Sequence, residues 1–301
     1  MKIVIDFDGV LTNQAAEGGL ELELFHGTLL TCMPNAPATI DALFAAGDAE
    51  LASNPGQHGW WHRGRLAAFA DEDLFIRAMA LGHCFDRWAA QGREPAATVR
   101  QAIDAAALSS FAAIVASSHE EMVRRSADED VATVCPEARG VLEAWLARSY
   151  DVVVVSNSTT PRIMRMLEGV GLKPIAHEDN ASAQFRVRGR AGKFALGEEA
   201  EVVRFGERCV DVARPSYAQV LREERPMVVV GDVFSLDIAL PLTLARQQPS
   251  LYEGMHFYLR RCSYTPAWAV AQMQRQGDEP FLLDVVDEVA TLPDLVRRRA
   301  Q

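Results

Sequence analysis

Hydrophobic positions along this chain follow two patterns. Unbroken apolar, largely β-branched runs occur at Ile3-Val4-Ile5, from Asp151 to Val155 and from Met227 to Val230. They stop at Asp6-Phe7-Asp8-Gly9, Ser156-Asn157 and Gly231-Asp232. A strand that does not alternate is covered on both faces, so these runs predict a parallel sheet with helices on each side. A further strand is expected from Gly254 to Leu259.

Elsewhere the spacing is helical. Pro136 opens a helix with the stripe Val141, Leu142, Trp145 and Leu146. Thr160-Pro161 open a second, with Ile163, Met164, Met166 and Leu167 inside and Gly169 and Gly171 as stop signals; Pro215 opens a third. Residues 14–132 contain no convincing buried strand. They predict helices at 37–46 closed by Gly47, at 72–91 after Asp71 and closed by Gly92, at 95–107 opened by Pro95, and at 110–125 after Ser109. The expected class is therefore α/β. A three-layer Rossmann-like parallel sheet core is built from residues 1–13 and 133–301, with a mostly α-helical domain inserted at 14–132.

With 301 residues, 49% hydrophobic and 24% charged, the chain can bury a large core. Its formal charge of −11 argues against a nucleic-acid partner, because phosphate backbones require a basic face. Five scattered cysteines without CxxC spacing suggest neither a disulfide framework nor a zinc site. No apolar run approaches the length needed to span a bilayer, so no membrane association is predicted and the cytosol is the expected compartment.

The ends of the apolar runs carry the chemistry. Asp6 and Asp8 follow the first, with Gly9 allowing a sharp turn, and Asp232 and Asp237 follow the third. If those strands are neighbours, four carboxylates share one sheet edge. Two like charges about 4 Å apart repel by roughly 4 kcal/mol at an effective dielectric of 20, so such a crevice calls for a cation. Oxygen-only ligands suit Mg²⁺.

DFDGVLT at 6–12, VVVVSNS at 152–158 and VVVGDVFSLD at 228–237 resemble, in that order, motifs of the haloacid dehalogenase (HAD) superfamily of phosphohydrolases. The resemblance covers the proposed core, and residues 14–132 match no cap domain. It implies that Asp6 is a nucleophile forming an aspartyl-phosphate and that Asp8 protonates the leaving oxygen, then activates water. It also implies that Ser156 binds a phosphoryl oxygen with help from the Asn157 N–H, with Asn157 and Gly9 as substrate-binding positions. Mg²⁺ would be bound by Asp6, the Asp8 carbonyl and Asp232, with Asp237 holding a metal-bound water or orienting a neighbour.

The family's third motif is a lysine, often before proline. Arg214-Pro215 occupies that place here, while Lys193, in Gly189-Arg190-Ala191-Gly192-Lys193-Phe194, lies earlier; Lys173, before Pro174, sits where the family starts a strand. Lys193 and Arg214 both remain candidates for the basic partner of Asp6. In family members a large insertion closes over the site as a cap, and the cluster His58-Gly59-Trp60-Trp61-His62-Arg63-Gly64-Arg65 reads as a loop able to contact substrate. The expected activity is Mg²⁺-dependent hydrolysis of a small phosphorylated metabolite. The alternatives are a phosphoryl transferase or mutase sharing the same intermediate, and a catalytically silent binding protein of this fold. Asp8 disfavours carbon–halogen hydrolysis, which does not need an acid there.

Overall fold

The computed structural model describes residues 1–128, 133–252, 254–275 and 281–299. The chain divides into two compact units. The first comprises Met1–Asn13, His62–Ala67 and Thr133–Gln301, the second Gln14–Trp61 and Ala68–Ala132. The junction expected at 132/133 adjoins residues 129–132, which lie outside the described residues.

Strand β1 (Lys2–Ile5) is followed by helices α1 (Gln14–Cys32) and α2 (Pro37–Ser53), strands β2 (Gly59–His62) and β3 (Arg65–Phe69), and helices α3 (Leu74–Ala90), α4 (Ala96–Ala105) and α5 (Phe111–Asp128). The chain continues through α6 (Pro136–Leu146), β4 (Asp151–Val155), α7 (Thr160–Gly169), β5 (Ile175–Ala176), β6 (Phe185–Arg188), β7 (Val202–Phe205) and β8 (Arg208–Asp211). It ends with α8 (Pro215–Glu224), β9 (Val228–Gly231), α9 (Ala239–Gln247), β10 (His256–Arg260), α10 (Ala267–Met273), β11 (Leu282–Val286) and α11 (Leu292–Arg299).

The first unit is built on a seven-stranded sheet in the order β11-β10-β9-β1-β4-β6-β5. Every pairing is parallel, and Ile3 is in register with Val152 on one side and Val228 on the other. The apolar runs are unbroken because both faces are covered. Ile3, Ile5, Val152, Val154, Val228 and Val230 cluster with Trp145 of α6, Ile163 and Leu167 of α7 and Leu292 of α11. Val4, Val153 and Val229 are equally buried on the opposite face. Each such side chain contributes about 1.5–3 kcal/mol of burial. The strand expected at Gly254 starts instead at His256, because Gly254 takes φ of 73° in the preceding turn.

The second unit has its own core, including Phe25, Leu43, Leu81, Phe85, Trp88, Val99 and Phe111. Three expectations are corrected here. Gly47 does not end its helix; α2 continues to Ser53, and Gly47 is where it presses against α3, since a Cβ there would come within 2.7 Å of Leu81. Asp73, not Asp71, caps α3, accepting the Ile76 N–H at 2.9 Å. Helix α1 was not expected, because the first half of its buried stripe is Gln14, Glu17 and Glu21 rather than apolar. Gln14 is satisfied by Asp73 (2.8 Å) and Glu21 by His119 (2.8 Å).

The segment read as a loop around Trp60 is a β-hairpin. Its two-residue connection, Arg63-Gly64, has φ of 51° and 71°, the combination that matches strand twist.

Candidate active site

The candidate catalytic and metal-binding residues named above lie in the first unit. Strand β1 is where the strand order turns back, with β4 on one side and β9 on the other, so their carboxyl ends form the crevice in which open parallel sheets place ligands. Asp6 stays tied to β9 through its N–H to the Val230 carbonyl (2.9 Å). The chain then turns through a loop closed by Leu11 N–H to Phe7 O (2.8 Å), with Phe7, Val10 and Leu11 fully buried beneath it.

Gly9 takes φ of 78°, and a Cβ there would lie within 2.5 Å of Asp232 Cγ and 2.7 Å of the Tyr264 hydroxyl oxygen. Only glycine lets Asp232 come this close to the turn. Its backbone polar groups are committed: the N–H donates to Thr12 Oγ1 (3.2 Å) and the carbonyl accepts from Arg260 (2.6 Å). The structure gives Gly9 a turn-forming place in the loop. Arg260 also donates to the Val10 carbonyl (2.8 Å), holding the loop from the end of β10.

At the centre, Lys193 Nζ lies 2.6 Å from Asp6 Oδ1 and 2.7 Å from Asp237 Oδ1, with all three side chains buried. Burial alone would lower the lysine pKa, but the Asp237 and Asp6 charges outweigh it and hold the ammonium above the usual lysine range. Asp6 is pushed well above the usual carboxylate range by burial, and by the Asp237 and Asp8 charges, against the pull of Lys193.

Lys193 reaches this place on an ordered connection after β6. Ala191 N–H bonds the Ser156 carbonyl (2.9 Å) and Lys193 N–H bonds Asn157 Oδ1 (2.8 Å). Asn157 thus places the lysine loop through its side chain, a contact the sequence did not suggest. The guanidinium of Arg214 donates to the carbonyls of Lys193 and Ala67 and so buttresses the lysine loop.

The hairpin tip supports that loop too. His62 Nδ1 accepts the Leu196 N–H (3.1 Å), and Arg65 bonds Asp211 (2.7 Å) and the Gly197 carbonyl. His58 is buried against Glu50 at 3.3 Å, so these members of the expected substrate-contacting cluster have structural partners. Lys173 is exposed.

Asp237 stands on a π-type turn, Phe234–Ile238, and its Oδ2 accepts the N–H groups of Asp232 (3.2 Å) and Val233 (3.0 Å). Gly231 makes room for it, since a Cβ there would come within 2.5 Å of Asp237 Cγ. Asp232 Oδ2 accepts the Tyr264 hydroxyl at 2.7 Å. Asp8 Oδ2 accepts the Ser156 hydroxyl (2.7 Å), and Asp8 Oδ1 accepts Arg162 Nη1 (2.7 Å).

Arg162, Tyr264 and Arg260 escaped sequence reasoning. Arg162 carried one faint signal: it stands four residues after Ser158, whose hydroxyl accepts the same guanidinium at 2.7 Å. Arg260 ends β10 and Tyr264 follows it, and their proximity to the site becomes visible only once the strand order is known.

Asp6, Asp232 and Asp237 each offer an oxygen within 4.8 Å of the others, and all three are buried. Asp6 and Asp237 meet Lys193, Asp8 meets Arg162, and Arg260 lies near enough to Asp232 to feel its charge. The oxygen-only donor set of Asp6, Asp232 and Asp237 fits Mg²⁺.

No family model matches this chain, and no curated protein does. Among solved structures, the chain is similar to a 2-haloacid dehalogenase from Pseudomonas syringae pv. Tomato DC3000, at 16% identity over 99% of both chains with a TM-score of 0.43. It is also similar to a hydrolase from Pseudomonas syringae (11% identity, 99% of this chain and 98% of the other, TM-score 0.48). A third likeness is to a haloacid dehalogenase-like family hydrolase from Xanthomonas campestris (16% identity, 99% and 96%, TM-score 0.46). With TM-scores below 0.5, these likenesses carry no weight of their own beside the residues of the site.

Proposed function

We propose that this chain is a HAD-superfamily phosphohydrolase, a Mg²⁺-dependent phosphomonoesterase acting on a small phosphorylated metabolite through an intermediate on Asp6. One observation carries the proposal: the Lys193 ammonium sits between Asp6 and Asp237 at the same crevice where Asp8 meets the Ser156 hydroxyl. A nucleophile, a proton carrier, a phosphoryl-oxygen donor and a buried cation are thereby assembled. Phosphoryl transfer needs little beyond such positioning and charge neutralisation.

The Asp6 carboxylate attacks phosphorus, and the bond from phosphorus to the ester oxygen breaks. That oxygen keeps the bonding pair and takes the proton carried by Asp8, leaving as an alcohol. Water then gives a proton to Asp8 and attacks phosphorus, releasing orthophosphate and restoring the Asp6 carboxylate. Lys193 counters negative charge at Asp6, and Ser156 with the Asn157 N–H binds a phosphoryl oxygen. Asp6, Asp232 and the Asp8 carbonyl would hold Mg²⁺, with Asp237 orienting the acidic pocket through Lys193. When bound, the ion neutralises charge on the phosphoryl oxygens.

No described helix is long and apolar enough to cross a membrane, and the five cysteines are free thiols. A screen of phosphorylated metabolites with Mg²⁺, using Asp6→Asn as the blank, tests the proposal. Release of phosphate by the wild type alone is expected; a folded wild type that turns over no phosphoester would overturn it.

A further inference from the structure

The Asp8 carboxylate is held at both oxygens by partners of different kinds. Ser156 Oγ donates to Oδ2 at 2.7 Å, and Arg162 Nη1 donates to Oδ1 at 2.7 Å. Arg162 also donates to Ser158 Oγ (2.7 Å), and the Ser158 N–H donates back to Ser156 Oγ (3.0 Å), which closes a ring of four residues that includes Asp8. The base of Arg162 is fixed, because it lies in the first turn of α7, whose Ile163 and Leu167 are buried in the core. Its side chain is itself mostly buried, at 12% exposure.

A serine hydroxyl carries a single proton to donate. Here Ser156 directs it at Asp8, so the same hydroxyl cannot also bind a phosphoryl oxygen until it lets Oδ2 go. Arg162 faces no such choice, since its bond to Oδ1 does not compete with the phosphoryl group for Ser156. We infer that Arg162 is a positioning residue for Asp8. An arriving phosphoryl group draws the Ser156 hydroxyl away and frees Oδ2 to take up a proton from water, which it then gives to the leaving oxygen, while Arg162 keeps Oδ1 and thereby the carboxyl plane. This inference rests on the phosphomonoesterase proposal above. It adds an order of events, in which substrate binding itself releases the acid, and it assigns separate roles to the two oxygens of Asp8.

The consequence depends on the leaving group. An alkyl ester leaves as a strongly basic oxygen and needs the proton during bond breaking, whereas p-nitrophenolate departs without it. Well-placed general acids contribute about 10²–10⁴-fold, and a misplacement of about 1 Å can cost about 10²-fold. The ratio of kcat/KM for an alkyl phosphate to that for p-nitrophenyl phosphate is therefore expected to fall about 10- to 100-fold in Arg162→Gln. Arg162→Lys, which retains a cationic donor, should recover most of it. The ratio isolates acid placement, because kcat/KM ends at the first irreversible step and a loss of folded enzyme lowers both esters alike.

The measurement uses the full-length protein with Mg²⁺, with thermal unfolding run on each variant. An unchanged ratio in Arg162→Gln overturns the inference, and so does unfolding of both variants, which would make Arg162 a folding residue. If the wild type hydrolyses neither ester, the phosphomonoesterase proposal fails as well. If the wild type is active and Asp6→Asn is not, an unchanged ratio removes the role of Arg162 alone.

Discussion

Replacing Lys193 with methionine would remove the only ammonium from the buried Asp6-Lys193-Asp237 group and leave two carboxylates facing each other. With contacts of 2.6 and 2.7 Å, each pairing is worth roughly 6 kcal/mol at an effective dielectric of 20. Desolvation of the ammonium offsets several kcal/mol of this, and breaking such a buried group typically costs about 3–5 kcal/mol net. At about 2–4 °C per kcal/mol for a unit of this size, the unfolding midpoint of Lys193→Met in EDTA should fall by roughly 6–20 °C. The folded-state pKa of Lys193 is raised, so its contribution is complete below the unfolded lysine value and is lost only as pH rises through the folded one. The Lys193 ammonium itself therefore adds no pH dependence to stability from about pH 6 to 9. Mg²⁺ should restore more stability to the variant than to the wild type, because its carboxylates then have no other counter-ion. Circular dichroism melts with and without Mg²⁺ measure both effects. A variant that melts in EDTA within about 1 °C of the wild type would refute the electrostatic reasoning.

Gly231→Ala places a methyl against Asp237 and should cost about 1–3 kcal/mol by overpacking, with a loss of turnover larger than the loss of stability, read by comparing chemical denaturation with kinetics. Tyr264→Phe removes the hydroxyl that orients Asp232 and should weaken Mg²⁺ binding about 10-fold, the lower end for such supporting contacts, as measured by titration calorimetry. Glu224 is raised by burial, but its bond from Lys2 and the charges of Arg186 and Lys2 outweigh this and leave it below the ordinary glutamate range. Its stabilisation is thus present above the unfolded value and lost as pH falls through the lower, folded one. Acid titration below about pH 4 should show a steeper loss of stability in the wild type than in Glu224→Gln.

How much was legible followed from burial. Strands β1, β4 and β9 could be read because both of their faces are apolar, and the acids at their ends inherited that visibility. Strand β6 could not, because Arg186 is fully buried within it, paired with Asp151 and Glu224. Helix α1 was hidden because buried Glu17 and Glu21 break its apolar period, and Gly47 misled because close helix packing uses the same residue as a helix stop. At the site, the choice between Lys193 and Arg214 turned on the course of a connection that hydrophobic periodicity does not encode. Arg162, Tyr264 and Arg260 are polar residues whose meaning comes entirely from which strands are neighbours.

The central claim is that Asp6 carries the phosphoryl group. The most direct measurement is mass spectrometry of protein acid-quenched within a single turnover of a phosphomonoester in Mg²⁺. The account predicts one phosphoryl group on the peptide containing Asp6, formed and lost at the rate of turnover and absent in Asp6→Asn. Phosphate release without such a peptide, continuing undiminished in Asp6→Asn, would contradict it.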